Sequence, residues 1–310
     1  MPGEFKIIER LRKAAGRPSG ALVLGIGDDC AAFRPAPGFE TLATSDMLVE
    51  GVHFRLSQGL SAVGYKSMAA NISDILACGG KPLYALVAVG LREKGSMRAA
   101  LSLYAGLRKC ADKFGVKIVG GDTVRSEKLV ISITALGEVA SGKAVTRGGA
   151  RPGDYILVTG ELGNGAAALK KNSAWLPPLR PELSAALCGR GLVSSMIDIS
   201  DGLSSELYHL CAESKTGALI YEELVPLSKA ALKLSGGNRR KALSAAFSGG
   251  EDYELLLSVP AEFLGTALKL GSKYSKFTVL GRMLPAGKGV KVFSGGKAKA
   301  LPRGGYDAFL

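Results

Sequence analysis

Apolar positions in this chain follow two rhythms, one at helical spacing and one in short unbroken runs. Phe5, Ile8 and Leu11 share one face and predict a short amphipathic helix over Glu4–Ala15. Val63, Met68, Ile72, Ile75 and Leu76 predict a second over Ala62–Cys78, stopped by Gly79-Gly80. A long helix is predicted over Ser96–Phe114, closed by Gly115. Strands are expected at Ala21–Leu24, Thr41–Val49, Leu83–Val89, Val116–Val119 and Leu129–Val139. The glycine-rich stretch AVTRGGARPGD then marks a boundary around Ser141–Asp154, dividing the chain into domains at 1–142 and 143–310. Beyond it come a strand over Tyr155–Thr159, the turn GELGNG, a helix over Ala166–Lys171 and a proline-rich connection. Next are an extended Ser194–Ile199, a helix over Leu203–Ser214, a strand over Tyr253–Val259, a helix over Ala261–Leu270 and a strand over Phe277–Leu280. Helices and strands alternate in both halves, so the fold class is α/β or α+β. No internal repeat stands out.

The aspartates do not follow these rhythms. Eight of eleven fall in short Gly/Ser/Thr-rich motifs at the ends of apolar runs: Asp28 and Asp29 in GIGDDC, Asp46 in ATSDMLVEGVHF, Asp74 in NISDILACGG, Asp122 in VGGDT, Asp198 and Asp201 in IDISDG, and Asp252 in SGGEDYE. Carboxylates on turns after buried strands suit hard cations, and Mg²⁺ is commonly shared between carboxylates and substrate phosphates. The expected chemistry is Mg²⁺-dependent phosphoryl transfer involving a nucleotide.

Composition narrows this further. A chain of 310 residues, 47% hydrophobic, is long enough for one large or two medium domains. The 42 glycines cluster where strands end and let backbone approach a ligand. The five cysteines form no CxxC pair, which argues against a zinc site or disulfide framework and fits a reducing cytoplasm. No signal pattern and no apolar run of about 18 residues is present, so neither export nor membrane spanning is expected. The net charge of +13 is spread along the chain, with only NRRK near Asn238 clustered and no aromatics interleaved. That pattern favours a basic surface attracting polyphosphates over a nucleic-acid groove.

Each motif has a plain alternative. GIGDDC places at most one carboxylate, Asp29, toward a site, because adjacent extended residues point opposite ways; otherwise it is an Asp-rich turn. Thr44-Ser45-Asp46 offers three oxygen ligands or a strand-end turn, and His53, seven residues on, tips the balance toward a phosphate site. His209 reads as structural. Asp74 near the end of an apolar helix needs a partner or a metal. Gly120 and Gly121 let backbone approach a phosphate beside Asp122. Asp201 either ligates or caps the following helix. GELGNG is either a phosphate loop or a strand-to-helix turn, and Arg147 either a phosphate clamp or a solvated arginine. No Walker A pattern and no kinase-type glycine loop is present.

GIGDDCA, TSDMLVEGVHF, KSMAANISDILACGGKP, IVGGDTVRS, TRGGARPGD, VTGELGNGAAAL, IDISDGLSSEL, SGGEDYEL and GYDAF occur in this order along nearly the whole chain. In this the sequence resembles the thiamine-monophosphate kinases, of the superfamily that includes aminoimidazole ribonucleotide synthase and selenophosphate synthetase. The resemblance implies a two-domain fold, an N-terminal sheet domain that pairs in a homodimer, and a C-terminal α/β domain that completes the ATP and substrate site. It implies transfer of the γ-phosphoryl group of ATP to thiamine monophosphate. By motif position, Asp29, Thr44, Ser45, Asp46, Asp74, Asp122, Asp198 and Asp201 would bind several Mg²⁺ ions, with Asp46, Asp74 and Asp122 central to catalysis. Gly121, Asp122, Arg147, Ser200 and Tyr104 would contact ATP, and His53, Glu251 and Tyr306 thiamine monophosphate. The Thr-Ser-Asp triplet departs from the family's Ser-Thr-Asp or Thr-Thr-Asp but keeps the hydroxyls, and the segment between Lys171 and Ser194 is short. The rival readings are a superfamily enzyme acting on another acceptor and a non-catalytic nucleotide- or cation-binding regulator.

Overall fold

The computed structural model describes residue 13 and residues 21–24, 32–92 and 97–305. The helix expected over Glu4–Ala15, the GIGDD turn with Asp28 and Asp29, and Tyr306 lie outside the described residues. The chain divides into two compact units. One comprises Met1–Ile75, Gly80–Gly142 and Asn172–Leu176; the other comprises Leu76–Gly79, Lys143–Lys171 and Pro177–Leu310.

In the first unit, β1 (Leu22–Leu24) and β2 (Ala32–Phe33) make a small antiparallel pair. Its main sheet holds β3 (Phe39–Val49), β4 (Lys81–Arg92), β5 (Lys117–Ser126) and β6 (Val130–Ala140) in the order β3-β6-β4-β5. Helix α1 (Leu60–Ala77) links β3 to β4, and α2 (Met97–Phe114) links β4 to the parallel β5. Most of α1 is apolar and buried, including Met68, Ile72 and Ile75. It ends where Gly79 N–H reaches Leu76 O and Gly80 N–H reaches Ile75 O, the paired bonds of a glycine-stopped helix. Helix α2 buries Ala100, Leu103, Tyr104, Leu107, Cys110 and Ala111, a stripe at helical spacing. Along β6, Ile131, Ile133 and Ala135 face the core, whereas Ser132, Thr134 and Leu136 lie on the opposite face of the sheet.

The second unit is built on a seven-stranded sheet. Its strands are β7 (Tyr155–Thr159), β8 (Ser195–Asp198), β9 (Thr216–Tyr221), β10 (Leu255–Val259), β11 (Phe277–Pro285), β12 (Val290–Ser294) and β13 (Lys297–Ala300). Their order is β13-β12-β9-β11-β7-β10-β8, antiparallel except for β12 beside β9. Ile156, Val158 and Leu256 pack on one side with α5 (Leu203–Ser214), α6 (Lys229–Leu234) and α7 (Arg239–Ser248). Leu157, Leu255 and Leu257 pack on the other with α4 (Pro181–Cys188) and α8 (Leu264–Gly271). Both faces are covered, so β7 and β10 read as continuous apolar runs rather than alternating ones.

Several expectations are corrected. The strand expected to stop at Val119 runs through GGDT to Ser126, so Asp122 sits within a strand and not on the turn after it, whereas Asp46 and Asp74 lie in the strand and the helix expected for them. The proline-rich connection contains α4, whose first residue Pro181 suits a helix start. The strand expected from Tyr253 begins at Leu255, because Tyr253 takes a left-handed φ of 53°. Strands β9, β12 and β13 and helices α6 and α7 had no expectation attached to them.

Candidate active site

In the first unit the pleat of β3 decides which side chains meet. Thr44 and Asp46 stand opposite Ala135 and Ile133 of β6 and so point to the face covered by α1. There Thr44 Oγ1 donates to Asp74 Oδ2 at 2.5 Å, and Asp46 N–H donates to Asn71 Oδ1 at 3.1 Å. Asn71 is fully buried, and its Nδ2 donates to Ser67 O at 3.1 Å, which orients the amide. Asp74 and Asn71 are three residues apart on α1 and therefore neighbours on one helix face. The Thr44 hydroxyl and the Asp74 carboxylate thus meet on an edge strand of the sheet, with Asp46 on the same face of β3, and the three offer only oxygens, the ligands Mg²⁺ takes.

Ser45 points the other way. It stands opposite Thr134, whose Oγ1 donates to Ser45 Oγ at 3.2 Å on the far face. Asp122 also lies away from the Thr44–Asp46–Asp74 group. Its cross-strand row runs through Ala88 and Ser132 to Met47, three strands or roughly 14 Å from β3. It is exposed and accepts a bond from Thr123 N–H at 2.8 Å. Beside it, Gly121 has φ 148°, and a Cβ there would lie 1.8 Å from Val87 O, so no other residue fits this backbone. Among the described residues, no three His, Cys, Asp or Glu side chains converge as a closed metal cage.

His53 is oriented by its own turn. Its Nδ1 accepts from Val49 N–H at 3.1 Å, placing the proton of the neutral ring on Nε2, and its carbonyl accepts from the buried Lys66 Nζ at 2.6 Å. Tyr104 is buried on α2, its Oη lacks a hydrogen-bond partner, and burial pushes its phenol above the usual range. An orphaned buried hydroxyl is a group that a ligand would satisfy.

In the second unit two loops interlock. Asp198 ends β8 and is buried, and Ser200 and Asp201 follow it. Helix α5 is capped by Gly202 without any side-chain bond, which removes the capping reading of Asp201. The carbonyls of this loop are held by the SGGEDYE segment: Glu251 N–H donates to Ser200 O at 2.6 Å and Tyr253 N–H to Ile199 O at 2.8 Å. Glu251 adopts φ 59° and Gly250 φ 63°; a Cβ on Gly250 would lie 2.3 Å from Ser200 O. A non-glycine residue held in the left-handed region is a feature of functional loops. Arg147 is exposed, and its loop is threaded by one hydroxyl: Ser214 Oγ donates to Arg147 O at 3.0 Å and accepts from Ala150 N–H at 3.1 Å.

Three buried carboxylates support these loops. Asp252 accepts from Gly163 N–H at 2.6 Å and Gly165 N–H at 2.9 Å, so it occupies the amides that open α3 (Asn164–Lys171). GELGNG is therefore a strand-to-helix turn filled by the protein's own anion. Burial pushes the Asp252 carboxyl up to about 7 against the pull of those amides. Glu254 is buried against Arg180, with Nη2–Oε1 at 2.7 Å and Nε–Oε2 at 3.1 Å, and Thr159 Oγ1 donates to it as well. Burial raises its pKa despite the arginine. Glu206, 2% exposed, accepts from Asp201 N–H at 2.7 Å, and burial pushes it up to about 7. Asn71, Glu206, Glu254 and Arg180 had no functional reading in the sequence. The available signal for Glu206 was a charge on the apolar stripe of Leu203, Leu207 and Leu210.

Residues 27–139 match the family model for the N-terminal domain of AIR synthase related proteins, and residues 151–293 match that for the C-terminal domain. The thiamine-monophosphate kinase of Escherichia coli (strain K12) is 35% identical, over 99% of this chain and 98% of that protein. The crystal structure of the thiamine-monophosphate kinase from Stenotrophomonas maltophilia K279a superposes with a TM-score of 0.83 at 31% identity, over 94% of this chain and 96% of that one. The structure of AaThiL complexed with AMPPCP and TMP superposes with a TM-score of 0.76 at 29% identity, over 99% and 97% of the two chains.

Proposed function

The chain belongs to the thiamine-monophosphate kinases, within the AIR synthase related protein family, and from that premise we propose that it transfers the γ-phosphoryl group of ATP to thiamine monophosphate, releasing thiamine diphosphate and ADP. The relative complexed with AMPPCP and TMP supports ATP and thiamine monophosphate as the two substrates. The observation that carries the reading is the bond of Thr44 to Asp74 beside the Asp46 backbone, which the buried Asn71 holds one helical turn away from Asp74.

The acceptor is a phosphate oxygen already anionic near neutral pH, so no strong general base is required. The obstacle is repulsion between two polyanions. Asp46, Asp74 and Thr44 are the groups that fit Mg²⁺ best; Ser45 and Asp122, on the other face of the sheet, and Asp29, Asp198 and Asp201 would serve further Mg²⁺ ions in the proposed set. These oxygens would hold Mg²⁺, which would supply shielding of the phosphate charge for an in-line displacement. Asp46, Asp74 and Asp122 take the catalytic roles. Gly121, Arg147, Ser200 and Tyr104 contact ATP, and His53 through Nε2, Glu251 and Tyr306 contact thiamine monophosphate.

We assign residues 1–142 to nucleotide and metal binding with dimerisation, and residues 143–310 to completing the substrate site. Homodimerisation through the first unit's sheet is supported by Phe39, Met47, Leu86 and Val124, large apolar side chains that are exposed among the described residues on the face opposite α1. No described helix is long and apolar enough to cross a membrane. Cytoplasmic residence and the absence of nucleic-acid partners are part of the same proposal. The test is product analysis after incubation with ATP, Mg²⁺ and thiamine monophosphate. Equal amounts of thiamine diphosphate and ADP, abolished by chelator, are expected; ATP binding without thiamine diphosphate formation would refute the acceptor.

A further inference from the structure

We propose that Glu206 is a positioning residue that sets the Ser200–Asp201 loop for the Mg²⁺-nucleotide, acting through the Asp201 amide from beneath the site. The inference rests on the assignment of Ser200 and Asp201 to nucleotide and metal.

Glu206 lies in the first turn of α5, where its helix neighbours Leu203, Leu207 and Leu210 are fully buried in the apolar core. A carboxylate in that stripe is costly, and one that served stability alone would be better replaced by an apolar side chain. Its oxygen instead reaches back past the helix start. It accepts from Asp201 N–H at 2.7 Å and lies 3.5 Å from Ser200 Oγ. The loop has no cap of its own, because Gly202 carries no side chain, and a Cβ there would lie 2.6 Å from Phe247 O. The loop is therefore held on its carbonyl side by Glu251 N–H, and on its amide side by Glu206. A hydroxyl proton directed at Glu206 leaves the Ser200 oxygen lone pairs turned to a ligand.

The reaction needs the Asp201 carboxylate and the Ser200 hydroxyl in fixed directions. A group that orients a metal ligand changes metal affinity about 10- to 100-fold when removed. Glu206→Met tests this, since it fills the apolar stripe without supplying an acceptor, and Glu206→Gln restores an acceptor oxygen. Calorimetric titration of Mg²⁺·AMPPCP is read with thermal melting and with the KM for each substrate. For Glu206→Met we expect a thermal midpoint at or above wild type, Mg²⁺·AMPPCP affinity at least about tenfold weaker, a raised KM for ATP, and less than about a twofold change in the KM for thiamine monophosphate. Glu206→Gln should stay within about threefold of wild type in affinity. Wild-type affinity in Glu206→Met, a parallel loss of stability and affinity, or equal damage from Met and Gln would each overturn the proposal. Asp201→Asn separates the two levels. If it weakens Mg²⁺·AMPPCP while Glu206→Met does not, the positioning role fails alone; if Asp201→Asn changes nothing, the site assignment fails and the positioning role with it.

Discussion

Arg180→Met should destabilise the protein in a pH-dependent way, because it strands a buried charge. Glu254 is 2% exposed and holds the guanidinium in a two-pronged pair, at 2.7 and 3.1 Å. Thr159 also donates to it, and Leu255 N–H donates to Thr159 Oγ1 at 2.8 Å, so the pair is tied into β7 and β10. Removing one partner of a buried pair costs about 3–5 kcal/mol, a large part of the roughly 5–15 kcal/mol that holds a domain folded. The sign follows from the carboxylate. Its folded pKa is already raised by burial, and loss of Arg180 raises it further, whereas the unfolded value stays near about 4.3. The folded state then holds a proton that the unfolded state has lost, so the penalty is small near the unfolded pKa and grows as pH rises toward the folded one. Urea denaturation of wild type and mutant at pH 5 and pH 8, as trial conditions about three units apart, should show the larger gap at the higher pH. The double mutant Arg180→Met/Glu254→Gln keeps an acceptor for Thr159 and should recover most of the loss. A gap under about 1 kcal/mol at the higher pH, an equal gap at both, or no recovery in the double mutant would refute the reasoning.

Asp46→Asn should lower kcat by about a hundredfold or more at saturating Mg²⁺, the scale of losing one preorganised electrostatic contact, and near wild-type turnover would remove Asp46 from the metal set. Gly250→Ala places a Cβ 2.3 Å from Ser200 O at φ 63°, and a loss of about 1–3 kcal/mol in thermal or urea unfolding should follow. Met47→Glu puts a charge on the apolar outer face of β3; sedimentation should show a dimer for wild type and a monomer for the variant, and an unchanged dimer would place the interface elsewhere. Asp252 sits near pH 7 because of burial, so above its unfolded range it subtracts from stability as it ionises; Asp252→Asn should flatten stability between pH 4 and pH 8, trial conditions roughly bracketing that range, at the loss of one amide acceptor.

Periodicity alone placed α1, α2, β3, β6 and α5, because each is long enough for its burial pattern to repeat several times. The ordered motifs also carried the family and the residue types of its chemistry, since oxygen ligands beside glycines are a local property of the chain. The same local reading had no access to orientation or to distant partners. Thr44, Ser45 and Asp46 are equivalent as letters. Only pairing with β6 shows that the first and last share the face on which Thr44 meets Asp74, while Ser45 turns to Thr134 on the opposite face. GELGNG looks ready for a phosphate, but Asp252 arrives from 87 residues away and fills its amides. Arg180 and Glu254 are 74 residues apart and neither lies in a pattern that names the other. The short strands β9, β12 and β13 repeat too little to show a period, and they are strands because a neighbour supplies their hydrogen bonds. Sequence thus determined composition, rhythm and the chemical kinds of group available. Tertiary structure decided which of those groups face one another, because side-chain direction in a sheet reverses with every residue and a buried charge is defined by the partner that folding brings to it.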